Sequence, residues 1–283
     1  MGGSLKTAGG ILLGKVYVVT SGKGGVGKTT ATANISSGLA REGKKVVMID
    51  ADIGLRNLDL IMGLENRIVF DLVDVVEKKC RSYRQALIRD KRFKTLFLLP
   101  AAQSRDKNAI KPEQMKELCN ELKENFDFVI IDCPAGIEQG FKNAIIGADD
   151  AIIVTNPEVS AVRDADRVVG LLEAEDKSRP FLLINRMKEE MVKKGQMLSV
   201  DDVSEILNIE LLGIIPDDDK ILYSSNKGEP IIMDETSRAG KAYRQVVRFL
   251  IDPDGPAHDD ACEQGLWDRI KRFFRFATEY SFS

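Results

Sequence analysis

Short apolar runs punctuate the chain at Val16–Thr20, Val46–Asp50, Leu96–Leu99, Phe128–Asp132, Ala151–Thr155, Phe181–Asn185 and Leu212–Ile215. Their hydrophobic positions are consecutive rather than alternating, as expected of strands buried on both faces. Amphipathic stretches lie between them. Pro112 opens one of these at a helix position that needs no backbone N–H, and Met115, Leu118, Cys119 and Leu122 continue its apolar face. Asp164–Ala174 shows a second such face in Val168, Val169, Leu171 and Leu172. Strands alternating with helices predict an α/β fold, a mostly parallel central sheet with helices on both faces. The C-terminal ends of parallel strands share one edge of such a sheet, and ligands gather there.

The pattern divides the 283 residues. Residues 1–14 begin Gly- and Ser-rich and are expected to form a flexible tail; their one apolar cluster, Ile11–Leu13, is too short for a signal-peptide core. The α/β domain is expected over residues 15–251. Residues 252–264, with two prolines and five acidic side chains, read as a linker, and 265–283 as a separate amphipathic segment. No run approaches the roughly 18 apolar residues of a membrane span. Apolar residues make up 43% and charged residues 30%, the balance of a globular protein. A net charge of −3 provides no overall basic field for nucleic acid. His258 is the single histidine, which argues against His-based triads and zinc sites. Cys80, Cys119, Cys133 and Cys262 are far apart and read as reduced thiols.

The first run leads into Ser21-Gly22-Lys23-Gly24-Gly25-Val26-Gly27-Lys28-Thr29-Thr30, with a helical pattern after it. Gly22, Gly27, Lys28 and Thr29 match G-x-x-x-x-G-K-[ST] in its required strand-to-helix setting. Glycines let the backbone wrap a phosphate, and the helix N-terminus adds positive potential. Lys28 is suited to the β- and γ-phosphates of a nucleoside triphosphate, and the Thr29 hydroxyl to Mg²⁺. Gly22, Gly24 and Gly27 also satisfy the dinucleotide fingerprint G-x-G-x-x-G, with Asp50 ending the next strand. A nicotinamide oxidoreductase has no use for the Lys28-Thr29 pair, so a nucleoside triphosphate is favoured. Two further strand ends carry acids. Asp132 closes Phe128–Asp132 and is followed by Cys133-Pro134-Ala135-Gly136, while Asp50 is followed by Asp52.

Lys23 is not required by the general phosphate-loop pattern. GKGGVGKT, from Gly22 to Thr29, resembles the deviant Walker A motif of the MinD/ParA ATPase family. The resemblance implies a P-loop NTPase fold of the SIMIBI type and two subunits that close face to face over two ATP molecules. Lys23 would reach the partner's nucleotide. By the same resemblance Asp52 orients or activates the hydrolytic water, and Asp50 and Asp132 support Mg²⁺. Nucleotide contacts are expected from Gly22, Lys23, Gly24, Gly25, Val26, Gly27, Lys28, Thr29 and Thr30. Asn185, Arg186 and Pro216 match the family's base-facing positions. A cluster-ligand role for Cys133, as in a related iron protein, is disfavoured because no second suitable cysteine stands out.

Asp52–Gly63 with Leu64-Glu65-Asn66-Arg67, Arg89–Arg92, Thr155–Val159, Arg163–Arg167 and Ser225–Pro230 are similar to the division-site branch of that family. They fit the DNA-partition branch less well. The C-terminal segment agrees. On a helix, Leu266, Trp267, Ile270, Phe273, Phe274 and Ala277 form one face, while Arg269, Lys271, Arg272 and Arg275 occupy its flanks and back. This is the pattern of an interfacial membrane helix, with anionic lipids as its partner. The resemblance implies a peripheral protein on the inner face of the cell membrane, or of a plastid envelope. It also implies a MinC-like inhibitor and a MinE-like activator as partners, with DNA not expected. A partition ATPase and a flagellar-number regulator remain as alternatives.

Overall fold

A computed structural model describes residues 7–8, 11–106, 109–175 and 180–253 of the chain. The strands β1 (Thr7–Ala8) and β2 (Ile11–Leu12) pair as a short antiparallel ribbon within the stretch expected to be a tail. Gly14 then joins the domain, its N–H donating to the Lys123 carbonyl at 2.8 Å.

The main sheet contains β3 (Lys15–Thr20), β4 (Val46–Asp50), β5 (Ile88–Arg89), β6 (Leu96–Leu99), β7 (Phe128–Asp132), β8 (Asp150–Thr155), β9 (Phe181–Met187) and β10 (Glu210–Pro216). Their order is β10-β9-β8-β3-β7-β4-β6-β5. Only the β5–β6 pairing is antiparallel. Every expected run is a strand, within two residues of its expected bounds. β5 is too short to leave a periodic signal.

Alternate residues of each central strand serve opposite faces. Val16, Val18, Val47 and Ile49 enter one apolar cluster, while Tyr17, Val19, Val46 and Met48 enter the other. The first cluster is covered by α3 (Leu72–Val76), α4 (Pro112–Lys123), α5 (Gln139–Ile146), α6 (Val159–Ala174) and α8 (Val200–Leu207). The second is covered by α1 (Lys28–Arg41), α2 (Leu58–Met62) and α10 (Arg238–Ile251). Two short helices, α7 (Glu189–Lys193) and α9 (Lys220–Asn226), follow β9 and β10. Pro112 is the first residue of α4, as its chemistry predicts. α6 starts at Val159 rather than Asp164 because Ala161, Val162 and Ala165 bury small side chains between exposed polar ones, a weak periodic signal. The parallel strands bring the segments after β3, β4, β7, β9 and β10 to one edge.

Candidate functional site

The segment after β3 forms the phosphate-loop candidate. α1 starts directly on Gly27, whose φ of 104° lies in the left-handed region that glycine tolerates. A Cβ at this position would also stand 2.3 Å from Asn185 Nδ2. Gly22 is needed for a different reason. Its Cβ would lie 2.1 Å from the Asp164 carbonyl oxygen, so α6 packs directly on the loop. Thus two loop glycines make room for protein neighbours as well as for any phosphate. Gly24 is less constrained, and Val26 is buried in the core.

Different partners hold the two lysines. Lys28 is buried, and its Nζ donates to Ser21 Oγ at 2.9 Å; that hydroxyl in turn donates to the Lys23 carbonyl at 2.7 Å. Lys23 Nζ donates to Ser160 Oγ at 3.2 Å and lies 3.6 Å from a Glu158 carboxylate oxygen. Its side chain remains 44% exposed, open to a molecule outside the chain. Thr29 and Thr30 follow in the first turn of α1, both half-buried.

Asp50 and Asp132 end neighbouring strands and face each other in register. Both are buried. Asp50 accepts from the Asp52 N–H at 3.0 Å and from the Leu58 N–H at 3.3 Å, so it fastens the start of α2. Asp132 accepts from Thr32 Oγ1 at 3.3 Å and from the Thr29 hydroxyl. Burial pushes both carboxyls well above the ordinary carboxylate range. The Asp132 charge raises Asp50 further, whereas the Thr29 hydrogen bond and the Lys28 ammonium oppose the shift at Asp132. Asp52 is half-buried beside them. Burial also pushes the Cys133 thiol up to about 12. It is a packed, protonated thiol.

The base-side candidates come from the other half of the edge. Asn185 is buried on β9, and its Nδ2 donates to the Val26 carbonyl at 2.7 Å. Its Oδ1 is buried and accepts no hydrogen bond from the described protein. Arg186 has a φ of 58°, strained for a residue with a Cβ, and turns an exposed side chain away from the core. Pro216 ends β10 opposite Met187. Of these three, Asn185 makes the hydrogen bond to the phosphate loop.

Thr29, Asp50 and Asp132 fit a hard cation. Two buried carboxyls that repel each other, next to a hydroxyl, form an oxygen set that a divalent ion would stabilise. Among the described residues no group of three or more His, Cys, Asp or Glu side chains converges. Ser21 and Thr32 were not anticipated. Thr32 stands one turn beyond Thr29 on the same helix face, so the helix period alone could have indicated it. Glu158, Ser160 and the Asp164 backbone had no local signal. The residues named on the C-terminal segment, Leu266, Trp267, Ile270, Phe273 and Phe274, lie outside the described residues, as do His258 and Cys262.

Residues 14–180 match a family model described as an AAA domain. The septum site-determining protein MinD of Bacillus subtilis is 54% identical over 265 residues, covering 93% of this chain and 98% of its own. The Synechocystis MinD is 56% identical over 262 residues, 92% of this chain and 98% of that protein. Among solved structures, the MinC:MinD cell division protein complex of Aquifex aeolicus superposes with a TM-score of 0.80 at 52% identity. That match covers 86% of this chain and 97% of the other. A MinD from Pyrococcus horikoshii complexed with Mg-ADP gives a TM-score of 0.77 at 28% identity, covering 86% and 98%. With this likeness running through nearly the full length, the chain belongs to the MinD family of septum site-determining ATPases.

Proposed function

We propose that this chain is a division-site ATPase whose ATP-bound form is a face-to-face homodimer held on the membrane, where it recruits a division inhibitor. The supporting observation is the meeting, at one sheet edge, of the Lys28 ammonium, the Thr29 hydroxyl and two buried carboxyls. In this reading Gly22–Thr30 cradles the phosphates of ATP, and Lys28 neutralises charge on the β- and γ-phosphates. Thr29 would hold Mg²⁺, with Asp50 and Asp132 supporting it through its water shell. Bound Mg²⁺ supplies positive charge against the charge that develops on the transferring phosphoryl group. Asp52, tied through its backbone to Asp50, orients the attacking water. Asn185, with Arg186 and Pro216 nearby, receives the base.

Lys23 gives the reaction its dependence on a second subunit. Its exposed ammonium, held by Ser160 and weakly by Glu158, is free to exchange those partners for a neighbouring subunit's nucleotide. Each short amphipathic tail would bind anionic lipid weakly by itself. Two tails on one dimer make the second insertion intramolecular, raising avidity by roughly 10²–10⁴. ATP would thereby load the protein onto the membrane, and hydrolysis would release it. The Aquifex relative is seen with MinC, which supports a MinC-like inhibitor as a partner here. A MinE-like activator acting on the Asp50–Asp59 region completes the cycle. No described helix is long and apolar enough to cross a membrane.

Sedimentation of the full chain with anionic vesicles or with duplex DNA, each with MgATP or MgADP, tests this reading. Pelleting with vesicles in MgATP alone is the expected result. DNA retention without any lipid response would move the protein to a partition role. Equal vesicle binding by Lys28→Ala and Trp267→Glu variants would remove both the nucleotide gate and the tail from the model.

A further inference from the structure

Arg92 stands where three segments distant in sequence meet. Its Nε and Nη2 fork onto Asp90, at 3.1 Å from Oδ1 and 2.6 Å from Oδ2. The same guanidinium donates from Nη2 to the Met62 carbonyl at 2.9 Å and from Nη1 to the Gly228 carbonyl at 2.7 Å. Met62 is the last residue of α2, and Gly228 lies just past the end of α9. A single side chain therefore ties down the C-terminal ends of two helices. The backbones touch at this point. Gly63 and Gly228 both have positive φ, and a Cβ on Gly228 would lie 2.7 Å from the Gly63 Cα.

Asp90 holds the guanidinium in place. It is buried, and its Oδ1 also accepts from the N–H groups of Arg92 and Phe93, at 2.7 and 3.1 Å. The planar fork of arginine can satisfy a carboxylate and two carbonyls at once, whereas an ammonium is a single point of donors. The cluster joins three sequence stretches, Asp52–Gly63, Arg89–Arg92 and Ser225–Pro230.

Both helices are rooted in the candidate site. α2 begins at Leu58, whose N–H donates to Asp50 Oδ2. α9 follows the turn after Pro216, where Asp218 accepts from the Lys220 N–H at 3.0 Å and from Ser237 Oγ at 2.8 Å. On the nucleotide reading proposed above, the Asp50 end would face the metal and the Pro216 end the base. We infer that Arg92 is a positioning residue for ATP hydrolysis, locking segments 50–63 and 216–228 into one unit so that seating the base also sets Asp52 against the water. This rests on the nucleotide reading proposed above.

Hydrogen exchange on the full-length wild-type chain, in increasing urea below the unfolding transition, tests the lock directly. Peptides over 58–64 and 220–229 are expected to open together, with the same urea dependence. Opening at clearly different urea concentrations would overturn the inference, whatever the protein binds. Arg92→Lys retains a cation for Asp90 but not the double carbonyl grip. It is expected to lower kcat by about 10-fold or more while changing the KM for ATP less than about 3-fold. In the same variant MgADP should still protect 58–64 but no longer 220–229. Wild-type kcat with unchanged joint protection would reduce Arg92 to a structural brace. Gly228→Ala, which pushes the Gly63 backbone away and leaves the Asp90 pair intact, is expected to repeat the kcat effect if Arg92→Lys does not fold. Calorimetry of MgADP on the wild type separates the two readings. Absence of binding sinks the nucleotide site, whereas binding with independent opening sinks only the lock.

Discussion

Lys23 and Lys28 share one loop yet are held in different settings, Lys28 buried against Ser21 Oγ and Lys23 exposed beside Ser160 and Glu158. On the function proposed above, this arrangement would separate a lysine for its own subunit's phosphates from one available to another subunit. Lys28→Ala is expected to abolish ATP binding. Lys23→Ala should stay within about 1 kcal/mol of wild-type stability, since exposed pairs contribute little. It should bind ATP within a few-fold of wild type as a monomer but lose ATP-dependent dimerisation and most hydrolysis. Light scattering with and without MgATP, beside nucleotide calorimetry, checks both variants. Full dimerisation by the Lys23 variant would remove its cross-subunit role.

The facing carboxyls Asp50 and Asp132 give a signed pH dependence. Both have folded values raised above the unfolded value of about 4, chiefly by burial. Between those values the folded chain holds more protons than the unfolded chain, so nucleotide-free stability falls as pH rises. The stabilisation is complete below the unfolded value and is lost as pH climbs through the raised ones. Asp50→Asn should flatten this slope and make the nucleotide-free protein more stable than wild type at pH 8, by about 1 kcal/mol or more. Its ATPase activity should nevertheless drop severely. Urea denaturation of both proteins from pH 5 to 8 measures the slopes, and parallel slopes would refute the prediction.

Asn185 joins β9 to the phosphate-loop candidate through its bond to the Val26 carbonyl, and on the proposed reading its Oδ1 would accept from the base once nucleotide opens a path to it. Asn185→Ala is expected to weaken ATP binding more than GTP binding, cutting the discrimination about 10-fold, the value of roughly one hydrogen bond. Competition with labelled ATP gives the ratio. An equal loss for both nucleotides would mean that Asn185 only braces the loop.

Three glycines of the phosphate loop should rank differently when changed to alanine. Gly27→Ala meets both a left-handed backbone and the Asn185 amide, and Gly22→Ala meets the Asp164 carbonyl. Gly25→Ala faces a positive φ of 77° but open space. The Gly25 change should cost about 1–2 kcal/mol, and each of the other two more than that. Thermal unfolding without nucleotide orders them, and a Gly25 variant less stable than the Gly27 variant would contradict the packing described.

Much of the fold was legible because its signals are local. Continuous apolar runs mark strands buried on both faces, and Pro112 marks a helix start wherever the helix docks. Gly22–Thr29 identified its chemistry for the same reason, since strand, turn and helix are consecutive in the chain. The two-residue β5 and the early start of α6 were missed because neither carries enough periodic contrast.

By itself, then, the sequence determined an α/β layer, a triphosphate loop and a lysine that the general loop does not require. The amphipathic segment at 265–283 rests on the sequence alone. Tertiary structure decided which strand ends are neighbours. Asp50 faces Asp132 only because β4 and β7 are adjacent, and that order depends on how the helices cross over the sheet. It also gave Lys23 its partners Glu158 and Ser160 at the start of α6 and brought Arg92 to Met62 and Gly228. Such contacts join residues far apart along the chain. Their geometry is set by close packing of whole elements, which no local pattern of side chains encodes.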